Sequence, residues 1–218
     1  MNSQEIVIIN YNMGNLRSVH NKFKRLGVEC IISSKKEDIE KADKLILPGV
    51  GHFKYGMQNL NEIGIIDILN KKVIKEKTPI LGICLGTQLF CSHSEEGNSE
   101  GLGWIDAEVI KFNVSDKIKY KVPHMGWNDV TIVNRNSLDV SLSVGETKRL
   151  SEKESLEQFY FVHSYHLKCN NPQDVWMTTT YDYEYVSAIR RDNIYGTQFH
   201  PEKSHDAGYQ LLKRFAEL

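Results

Sequence analysis

The 218-residue sequence predicts an α/β fold with a mostly parallel central sheet, helices on both faces and antiparallel strand additions. Two observations support it. Short β-branched runs alternate with helix-like stretches in the N-terminal half, and strand-like segments follow one another closely from Trp104 onward. The length, with 40% hydrophobic and 25% charged residues, fits one globular domain, which we expect to span residues 1–218.

The N-terminal half carries the predicted parallel strands. Ile6–Ile9 is the first candidate, and residues 14–26 then place apolar side chains at helical spacing and end at Gly27. Further strands are predicted at residues 28–33, 44–47 and 79–83, with helix-like sequence at 57–77. Strands this short and apolar, separated by helices, are typical of a buried parallel sheet.

The C-terminal half is predicted to add antiparallel strands. Strand-like segments lie at residues 104–112, 128–133, 158–162, 175–181, 186–189 and 194–199. Turn-rich pieces join them, which favours antiparallel pairing. Residues 92–101 are predicted to form an exposed loop, and an amphipathic helix at 206–218 closes the chain.

The formal net charge of −1 at pH 7 offers no basic surface for nucleic acid or an anionic membrane. The apolar run Ile6–Ile9 is too short for a signal peptide or a membrane span, so we expect a cytoplasmic protein.

The four cysteines lack Cys-x-x-Cys spacing, and an intracellular chain of this size needs no disulfides. A reactive thiol is therefore a candidate, although a small buried side chain is the more usual role of each cysteine.

The strongest local motif is PILGICLGTQ at residues 79–88, a predicted buried strand that ends at Cys84. A nucleophile at a sharp strand-to-helix turn needs small neighbours, and Gly82 and Gly86 meet that need. The helix expected after Cys84 would direct its positive end at the sulfur and favour the thiolate. On this motif alone, a tight packing turn with an inert thiol is an equal alternative.

A catalytic cysteine needs a base, and the segment YGTQFHPE at residues 195–202 supplies one. His200 ends a predicted strand, and Glu202 follows beyond a proline that restricts the connection, so imidazole and carboxylate can point to the same side. A lone histidine is more often an ordinary surface or core residue. Here, however, Cys84, His200 and Glu202 all lie where predicted strands end, the region in which open α/β sheets bind ligands.

The segment LPGVG at residues 47–51 also follows a predicted strand. Attack on an amide creates an oxyanion, which backbone N–H groups stabilise. Gly49 and Gly51 would let the backbone approach closely, and the candidate donors are Leu85 and the Val50–Gly51 segment. By itself, the segment is more typical of an ordinary loop.

Together, GICLGTQ at residues 82–88 and QFHPE at residues 198–202 resemble the class I (triad) glutamine amidotransferases, and the similarity covers nearly the whole chain. This resemblance implies a flavodoxin-like α/β fold. Within the family, five segments are similar to the glutaminase subunits of imidazole glycerol phosphate synthases: YNMGNLRS at 11–18, PGVG at 48–51, PHMGWN at 123–128, FVHSY at 161–165 and KS at 203–204.

The resemblance implies that Cys84 attacks the side-chain amide of L-glutamine, giving a glutamyl thioester and ammonia. His200 would carry the protons and Glu202 would orient His200. The implied oxyanion donors are Leu85, Val50 and Gly51, and the implied substrate contacts are Gly49, Gln88, His163 and Ser164. Neither a metal nor an organic cofactor is implied.

The implied partner is a (β/α)8 barrel synthase subunit that forms a heterodimer with this chain and uses the ammonia on a phosphorylated ribulosyl nucleotide. In such enzymes the PGVG segment would reorient when the partner is loaded, so activity would depend on the partner. The implied docking face comprises Asn12, Asn15, Met125, Trp127 and Lys203. Trp127 is the kind of aromatic anchor that interfaces favour, and its alternative is a core tryptophan.

Two positions depart from the family, which often has Asp and Gly where this chain has Asn10 and Asn12. Asn12 is a mild change because asparagine tolerates left-handed backbone, whereas Asn10 removes a charge. The departures leave open a partner that aminates or amidinates a surface-polysaccharide sugar. Two further alternatives are a catalytically silent regulatory subunit, against which the intact Cys84, His200 and Glu202 argue, and a cysteine peptidase, which QFHPE matches poorly.

Overall fold

The computed structural model describes residues 5–134 and 155–218. Thirteen strands and six α-helices lie within these two ranges. The strands are β1 (Ile6–Ile9), β2 (Cys30–Ser33), β3 (Lys44–Gly49), β4 (Ile80–Cys84), β5 (Cys91–Ser94), β6 (Ser99–Glu100), β7 (Ile105–Lys111), β8 (His124–Ile132), β9 (Ser155–His163), β10 (Tyr165–Cys169), β11 (Val175–Tyr181), β12 (Tyr183–Arg191) and β13 (Ile194–Thr197). The helices are α1 (Leu16–Arg25), α2 (Lys36–Lys41), α3 (Phe53–Glu62), α4 (Ile66–Asn70), α5 (Leu85–Gln88) and α6 (His205–Glu217). A π-helical turn lies at Lys71–Lys75, and 3-10 turns lie at Pro172–Asp174 and Pro201–Lys203.

All thirteen strands belong to one sheet. Its main path runs β2-β1-β3-β4-β13-β12-β10-β7-β5-β6, while β11 joins β12 to β8 and β8 pairs with β9. The first five strands of this path are parallel. Nearly all other pairs are antiparallel, the exception being β5 with β7. The predicted α/β fold, a parallel central sheet with antiparallel additions, is confirmed.

Helices cover both faces of the parallel strands because successive side chains of a strand point to opposite faces. In β1, Ile6 and Ile8 join a core with Phe23 of α1 and Leu212 of α6. The second core receives the alternate β1 side chains and apolar residues of α2, α3 and α4, namely Val7, Ile9, Ile39, Leu60 and Leu69. In the described ranges, no helix is both long enough and apolar enough to cross a membrane.

The prediction of an exposed loop at residues 92–101 is wrong, since this stretch contains β6 and most of β5. β5 pairs in parallel with β7 and antiparallel with β6, and its end residues Cys91 and Ser94 are buried. The polar run Ser92-His93-Ser94 gives no strand pattern, because backbone pairing with distant β7 stabilises the segment rather than an alternation of apolar side chains.

Four other elements differ from the sequence-based expectation. The helix-like stretch at residues 57–77 is divided because Gly64, between α3 and α4, adopts φ +67°, which interrupts helical hydrogen bonding. β2, predicted to be buried, forms the outer edge of the sheet, and Ile31 and Ile32 are exposed there. The short elements α2 and β10 were not predicted, since so few residues give little periodicity.

A buried asparagine, Asn193, forms hydrogen bonds with the segments of the chain that precede and begin β4. Nδ2 of Asn193 donates to the carbonyl oxygens of Val73 at 2.9 Å and Thr78 at 2.8 Å. The backbone carbonyl of Asn193 accepts from the N–H of Ile80 at 2.9 Å. One residue therefore joins the π-helical turn, the start of β4 and the turn before β13.

The 3-10 turn Pro201–Lys203 packs closely against the first turn of α6. A Cβ built on Gly208 would lie 1.9 Å from the carbonyl oxygen of Pro201. The N–H of Gly208 donates to the carbonyl oxygen of Ser204 at 2.9 Å. Because this 3-10 turn carries Glu202, its position depends on the contact with α6.

We predict that Gly208→Ala lowers the free energy of unfolding by about 1–3 kcal/mol, because the added methyl group overlaps the Pro201 carbonyl. In an unobstructed helix the same change raises stability by about 1 kcal/mol, so the sign of the effect is diagnostic. Gly56→Ala in α3 is the matched control, since the nearest atoms that its Cβ would meet are side-chain methyl groups of Leu89, at 3.1 Å and 3.3 Å, and not a backbone carbonyl. Urea denaturation measures both changes, and a stabilised Gly208→Ala variant would contradict the contact.

Candidate active site

Cys84 is the last residue of β4 and adopts φ 54° and ψ −111°. This conformation is strained for a residue with a side chain, by about 1–3 kcal/mol, and persists where the surroundings enforce it. The chain passes directly from Cys84 into α5 at Leu85. Cys84 therefore lies on a sharp strand-to-helix turn and is 6% exposed.

Two glycines make room for this turn. A Cβ on Gly86 would lie 1.7 Å from the carbonyl oxygen of Leu47 in β3, and a Cβ on Gly82 would lie 2.7 Å from Cα of Thr87. The first clash is with a neighbouring strand and the second with the turn itself. Glycine is therefore required at positions 82 and 86 by contacts within the protein.

The helix expected after Cys84 is α5. It comprises the four residues Leu85–Gln88, a single turn. The helix dipole is a sum over aligned peptide groups, so one turn provides little of the electrostatic support expected for a thiolate. That support has to come from a charged side chain.

His200 and Glu202 form a buried pair near Cys84. Nδ1 of His200 lies 2.8 Å from Oε1 of Glu202, and both side chains are almost fully buried. A carboxylate accepts hydrogen bonds, so Nδ1 carries a proton. Nε2 of His200 has no hydrogen-bond partner among the described residues. This nitrogen is therefore available for proton transfer.

The surroundings of His200 favour its imidazolium form. Burial, the largest single influence, lowers its pKa, but the combined attraction of Cys84 and Glu202 outweighs burial and raises the pKa to about 10. At neutral pH the ring is therefore protonated. An imidazolium stabilises a neighbouring thiolate and can donate its proton to a leaving group.

The other three cysteines are unsuited to nucleophilic attack. Burial raises the pKa of Cys30 to about 11 and of Cys169 to about 12, and it raises the pKa of Cys91 well above its usual value. Cys30 lines a groove of about 720 Å³, but its thiol stays protonated at neutral pH. In ranges 5–134 and 155–218, no three His, Cys, Asp or Glu side chains are grouped to hold a metal ion.

A pocket of about 280 Å³ opens at Cys84. Seven residues singled out in the sequence line it: Val50, Gly51, Cys84, Leu85, Gln88, His163 and Ser164. The volume lies near the lower end of the usual range for small-molecule pockets, about 300–1,000 Å³. A single amino acid fits such a pocket better than an extended polypeptide does.

Gly49, which the resemblance implies as a substrate contact, is not among the residues that line this pocket. It pairs with Cys84 between β3 and β4, and a Cβ at Gly49 would lie 2.1 Å from the hydroxyl oxygen of Tyr11. That hydroxyl is buried and has no hydrogen-bond partner in the described part of the chain. Burial, with a smaller contribution from Cys84, raises the pKa of Tyr11, so the phenol stays neutral. Gly49 thus makes space for Tyr11 beside the nucleophile.

Two polar residues of the site were not assigned from the sequence. Nε2 of Gln198 lies 3.7 Å from Sγ of Cys84, and its Oε1 accepts from Nε2 of Gln88 at 3.0 Å. The sequence feature that could have indicated Gln198 is its position within QFHPE, two residues before His200. Glu96 lines the pocket, and its carboxylate accepts from the N–H of Phe53 at 2.7 Å. Glu96 was missed because residues 92–101 were predicted to be a loop.

The residues assigned to a docking face lie on the surface. Met125 is 62% and Trp127 42% exposed, so Trp127 is not a core residue. Its ring stacks on His205 with centroids 4.8 Å apart. Nζ of Lys203 lies 5.5 Å from the ring centroid of Tyr160, whose edge also meets Trp127. Trp127 and Lys203 therefore share one surface cluster.

The first strand-to-helix turn contains the other two docking residues. Asn12 adopts φ 63°, the left-handed geometry that asparagine tolerates, and its N–H donates to Oδ1 of Asn10 at 3.1 Å. Oδ1 of Asn15 accepts from the N–H of Ser18 at 3.3 Å and caps α1. Both asparagines are exposed, and Asn10 stabilises the turn through a hydrogen bond without carrying a charge.

The chain is similar to known proteins along nearly its whole length. The family model described as glutamine amidotransferase class-I matches residues 7–217. Imidazole glycerol phosphate synthase subunit HisH 2 of Methanococcus maripaludis is 51% identical, over 96% of this chain and 98% of that protein. The subunit HisH 2 of Pseudomonas aeruginosa is 44% identical, over 98% and 99%. A crystal structure of a glutamine amidotransferase superposes with a TM-score of 0.72 at 20% identity, covering 97% of this chain and 99% of that one.

We predict that the stabilisation from protonated His200 is fully present below about pH 6.5 and is lost as the pH rises through about 10. The sign follows because the pKa is higher in the folded protein, which therefore binds the proton more tightly than the unfolded chain does. The melting temperatures of the wild type and of His200→Gln, measured across this range, should converge toward alkaline pH. Other alkaline titrations affect both proteins, so a gap that stays constant would contradict the raised pKa.

Proposed function

The chain belongs to the class I glutamine amidotransferases, and on that premise we propose that it is the glutaminase subunit of an imidazole glycerol phosphate synthase. It would hydrolyse L-glutamine to glutamate and pass the ammonia to a (β/α)8 barrel subunit that makes imidazole glycerol phosphate and AICAR in histidine biosynthesis. The observation that carries the chemistry is Cys84 on a strained turn, with the His200–Glu202 pair beside it and a small pocket open to it. The names of the similar proteins support the histidine pathway.

In the proposed reaction, the Cys84 thiolate attacks the side-chain amide carbon of glutamine. His200 donates its proton to the departing nitrogen, so ammonia leaves and a glutamyl thioester remains. Neutral His200 then takes a proton from the water molecule that attacks the thioester, and glutamate is released as the thiolate is restored. Glu202 orients the ring through its hydrogen bond to Nδ1.

We assign the oxyanion site to the N–H groups of Leu85 and of the Val50–Gly51 segment. Both line the pocket next to Cys84. Gly51 adopts φ +115°, a conformation that glycine reaches without steric strain, so the path of this segment depends on it. Removing one such donor from an enzyme typically costs about 2.7–4 kcal/mol of transition-state stabilisation.

The amino-acid end of glutamine is assigned to the other polar residues that line the pocket. Glu96 supplies a carboxylate that attracts an α-ammonium group, and Gln88, His163 and Ser164 complete the wall. Nε2 of Gln88 donates to the carbonyl oxygen of Tyr165 at 3.2 Å as well as to Gln198, so Gln88 also fixes the shape of the pocket.

The proposed docking face consists of Asn12, Asn15, Met125, Trp127 and Lys203. Met125 and Trp127 follow Pro123, which lines the pocket, and Val50 at the pocket wall is itself exposed. An apolar centre with a polar surround is typical of protein interfaces. A partner seated there would cover the pocket mouth, so ammonia could enter it without protonation in bulk water.

Two further parts of the proposal concern context. We place the protein in the cytoplasm, which its four free cysteines fit because disulfides are uncommon there. We also treat residues 1–218 as one domain, which the single sheet supports. A peptidase role is disfavoured by the pocket volume of about 280 Å³, and a silent regulatory role by the strained Cys84 beside a protonated His200.

We predict that the complex with the barrel subunit and its nucleotide ligand releases glutamate from glutamine, and that Cys84→Ala abolishes this release by removing the nucleophile. Loss of a catalytic nucleophile lowers kcat by about 10⁶-fold. Cys30→Ala is the matched control, since its thiol lies outside the pocket, and it should retain wild-type activity. Glutamate is measured by a coupled dehydrogenase assay. A wild-type complex without glutaminase activity, or an active Cys84→Ala variant, would refute the function.

We predict that Trp127→Ala weakens binding to the barrel subunit by about 30-fold, the effect of losing about 2 kcal/mol at an aromatic anchor. Ile31→Ala is the control, because Ile31 is similarly exposed, at 40%, but lies on the outer strand β2. Isothermal titration calorimetry gives both dissociation constants. Equal values for the two variants would place the docking face elsewhere.

A further inference from the structure

A chain of hydrogen bonds crosses the aromatic core between β8 and the pocket. Nδ2 of Asn128 lies 3.4 Å from Nε2 of His124, and Nδ1 of His124 lies 3.2 Å from the hydroxyl oxygen of Tyr185. That hydroxyl oxygen lies 3.3 Å from Nε2 of His163, whose Nδ1 lies 2.7 Å from the carbonyl oxygen of Tyr165. We refer to the side chains of Asn128, His124, Tyr185 and His163 as the β8 relay.

In the β8 relay, the donor and the acceptor of each hydrogen bond can be assigned. The carbonyl oxygen of Tyr165 can only accept, so Nδ1 of His163 carries the hydrogen. In a neutral ring Nε2 of His163 then accepts, and the hydroxyl of Tyr185 donates to it. The oxygen of Tyr185 accepts from Nδ1 of His124, which leaves Nε2 of His124 to accept from the amide of Asn128. That amide also donates to the carbonyl oxygen of Thr180 at 3.0 Å, which agrees with this orientation.

The surroundings keep these groups neutral. Burial lowers the pKa of His163 well below its usual value and that of His124 to about 4. Burial raises the pKa of Tyr185 well above its usual value. Phe112 packs against the rings of all three, with centroids 5.1 to 6.3 Å away. A neutral, enclosed chain of this kind loses a buried hydrogen bond if any member is removed.

At the pocket end, the relay holds the wall that contains Ser164. The carbonyl oxygen of Tyr165 accepts from His163 and from Nε2 of Gln88, so it is tied to both the relay and α5. Ser164 lies between His163 and Tyr165, at the turn from β9 to β10, and lines the pocket. The hydrogen bond from His163 therefore helps to hold this turn in place.

At its other end the relay is anchored in β8, whose Met125 and Trp127 are exposed. We propose that Tyr185 and His124 are positioning residues that hold His163 and the Ser164 turn in the arrangement that binds glutamine, with β8 as their anchor. The inference rests on the proposed function, because it takes glutamine as the ligand of the pocket. It adds two residues that do not line the pocket themselves.

The test compares Tyr185→Phe with Tyr183→Phe in the complex with the barrel subunit and its nucleotide ligand. Tyr183 is the matched control because its hydroxyl also bonds a buried histidine, Nε2 of His166 at 3.0 Å, yet His166 does not line the pocket. Tyr185→Phe should raise KM for glutamine about ten-fold and leave kcat within about two-fold, since His163 loses its donor. Tyr183→Phe should change neither value by more than about two-fold. Equal KM values for the two variants, or a loss confined to kcat in Tyr185→Phe, would overturn the proposal.

A second pair of variants distinguishes the loss of a hydrogen bond from a folding defect. His124→Asn keeps an amide N–H near the position of Nδ1 and should retain a KM closer to wild type than His124→Phe, which has no donor. The reverse order would overturn the proposal.

Failure of the proposed function is distinguishable, because the wild-type complex itself would then release no glutamate. Calorimetric binding of glutamine to Cys84→Ala, with and without Tyr185→Phe, still reports on the relay in that case. Binding weakened about ten-fold supports the proposal, and equal binding overturns it.

Discussion

The site depends on the close packing of the turn at Cys84 against β3. The Gly86 backbone lies so near the carbonyl oxygen of Leu47 that no side chain fits between them, and the parallel register places Gly49 opposite Cys84. β3 therefore supports the strained turn and continues into the Val50–Gly51 segment. β13 lies on the other side of β4 and leads to His200. Because parallel strands end at the same edge of a sheet, three adjacent strands bring the oxyanion segment, the nucleophile and the base together.

Burial lowers the pKa of both His200 and His163, but the final protonation state depends on the neighbours of each ring. His200 faces Glu202 and Cys84, whose attraction exceeds the effect of burial, and the ring keeps its proton. His163 is as enclosed, but its hydrogen-bond partners are a carbonyl and a phenol, and the ring loses its charge. The same residue type therefore serves as a proton carrier at one position of the site and as a neutral positioning group at another.

The sequence predicted features whose causes are local. Apolar runs and the glycines around Cys84 indicated the parallel strands and the turn, and the similarity of QFHPE to the family indicated the His200–Glu202 pair. Glu96 could not be predicted in the same way, because it is brought to the pocket by the pairing of β5 with β7, which polar residues do not reveal. The link between His124 and Tyr185 joins positions 61 residues apart, and no local pattern records such a contact.

At the other ends of these strands, Asn193 shows what a buried polar side chain can do without taking part in chemistry. Asn193 joins the π-helical turn, β4 and β13 through buried hydrogen bonds, at the ends of the strands remote from Cys84. Losing those bonds would shift the balance between folded and unfolded chains and expose more of the population to proteolysis. The molecules that remain folded would still have an intact pocket. A substitution at Asn193 would therefore appear in a cell as a reduced amount of enzyme, with an unchanged turnover number per folded molecule.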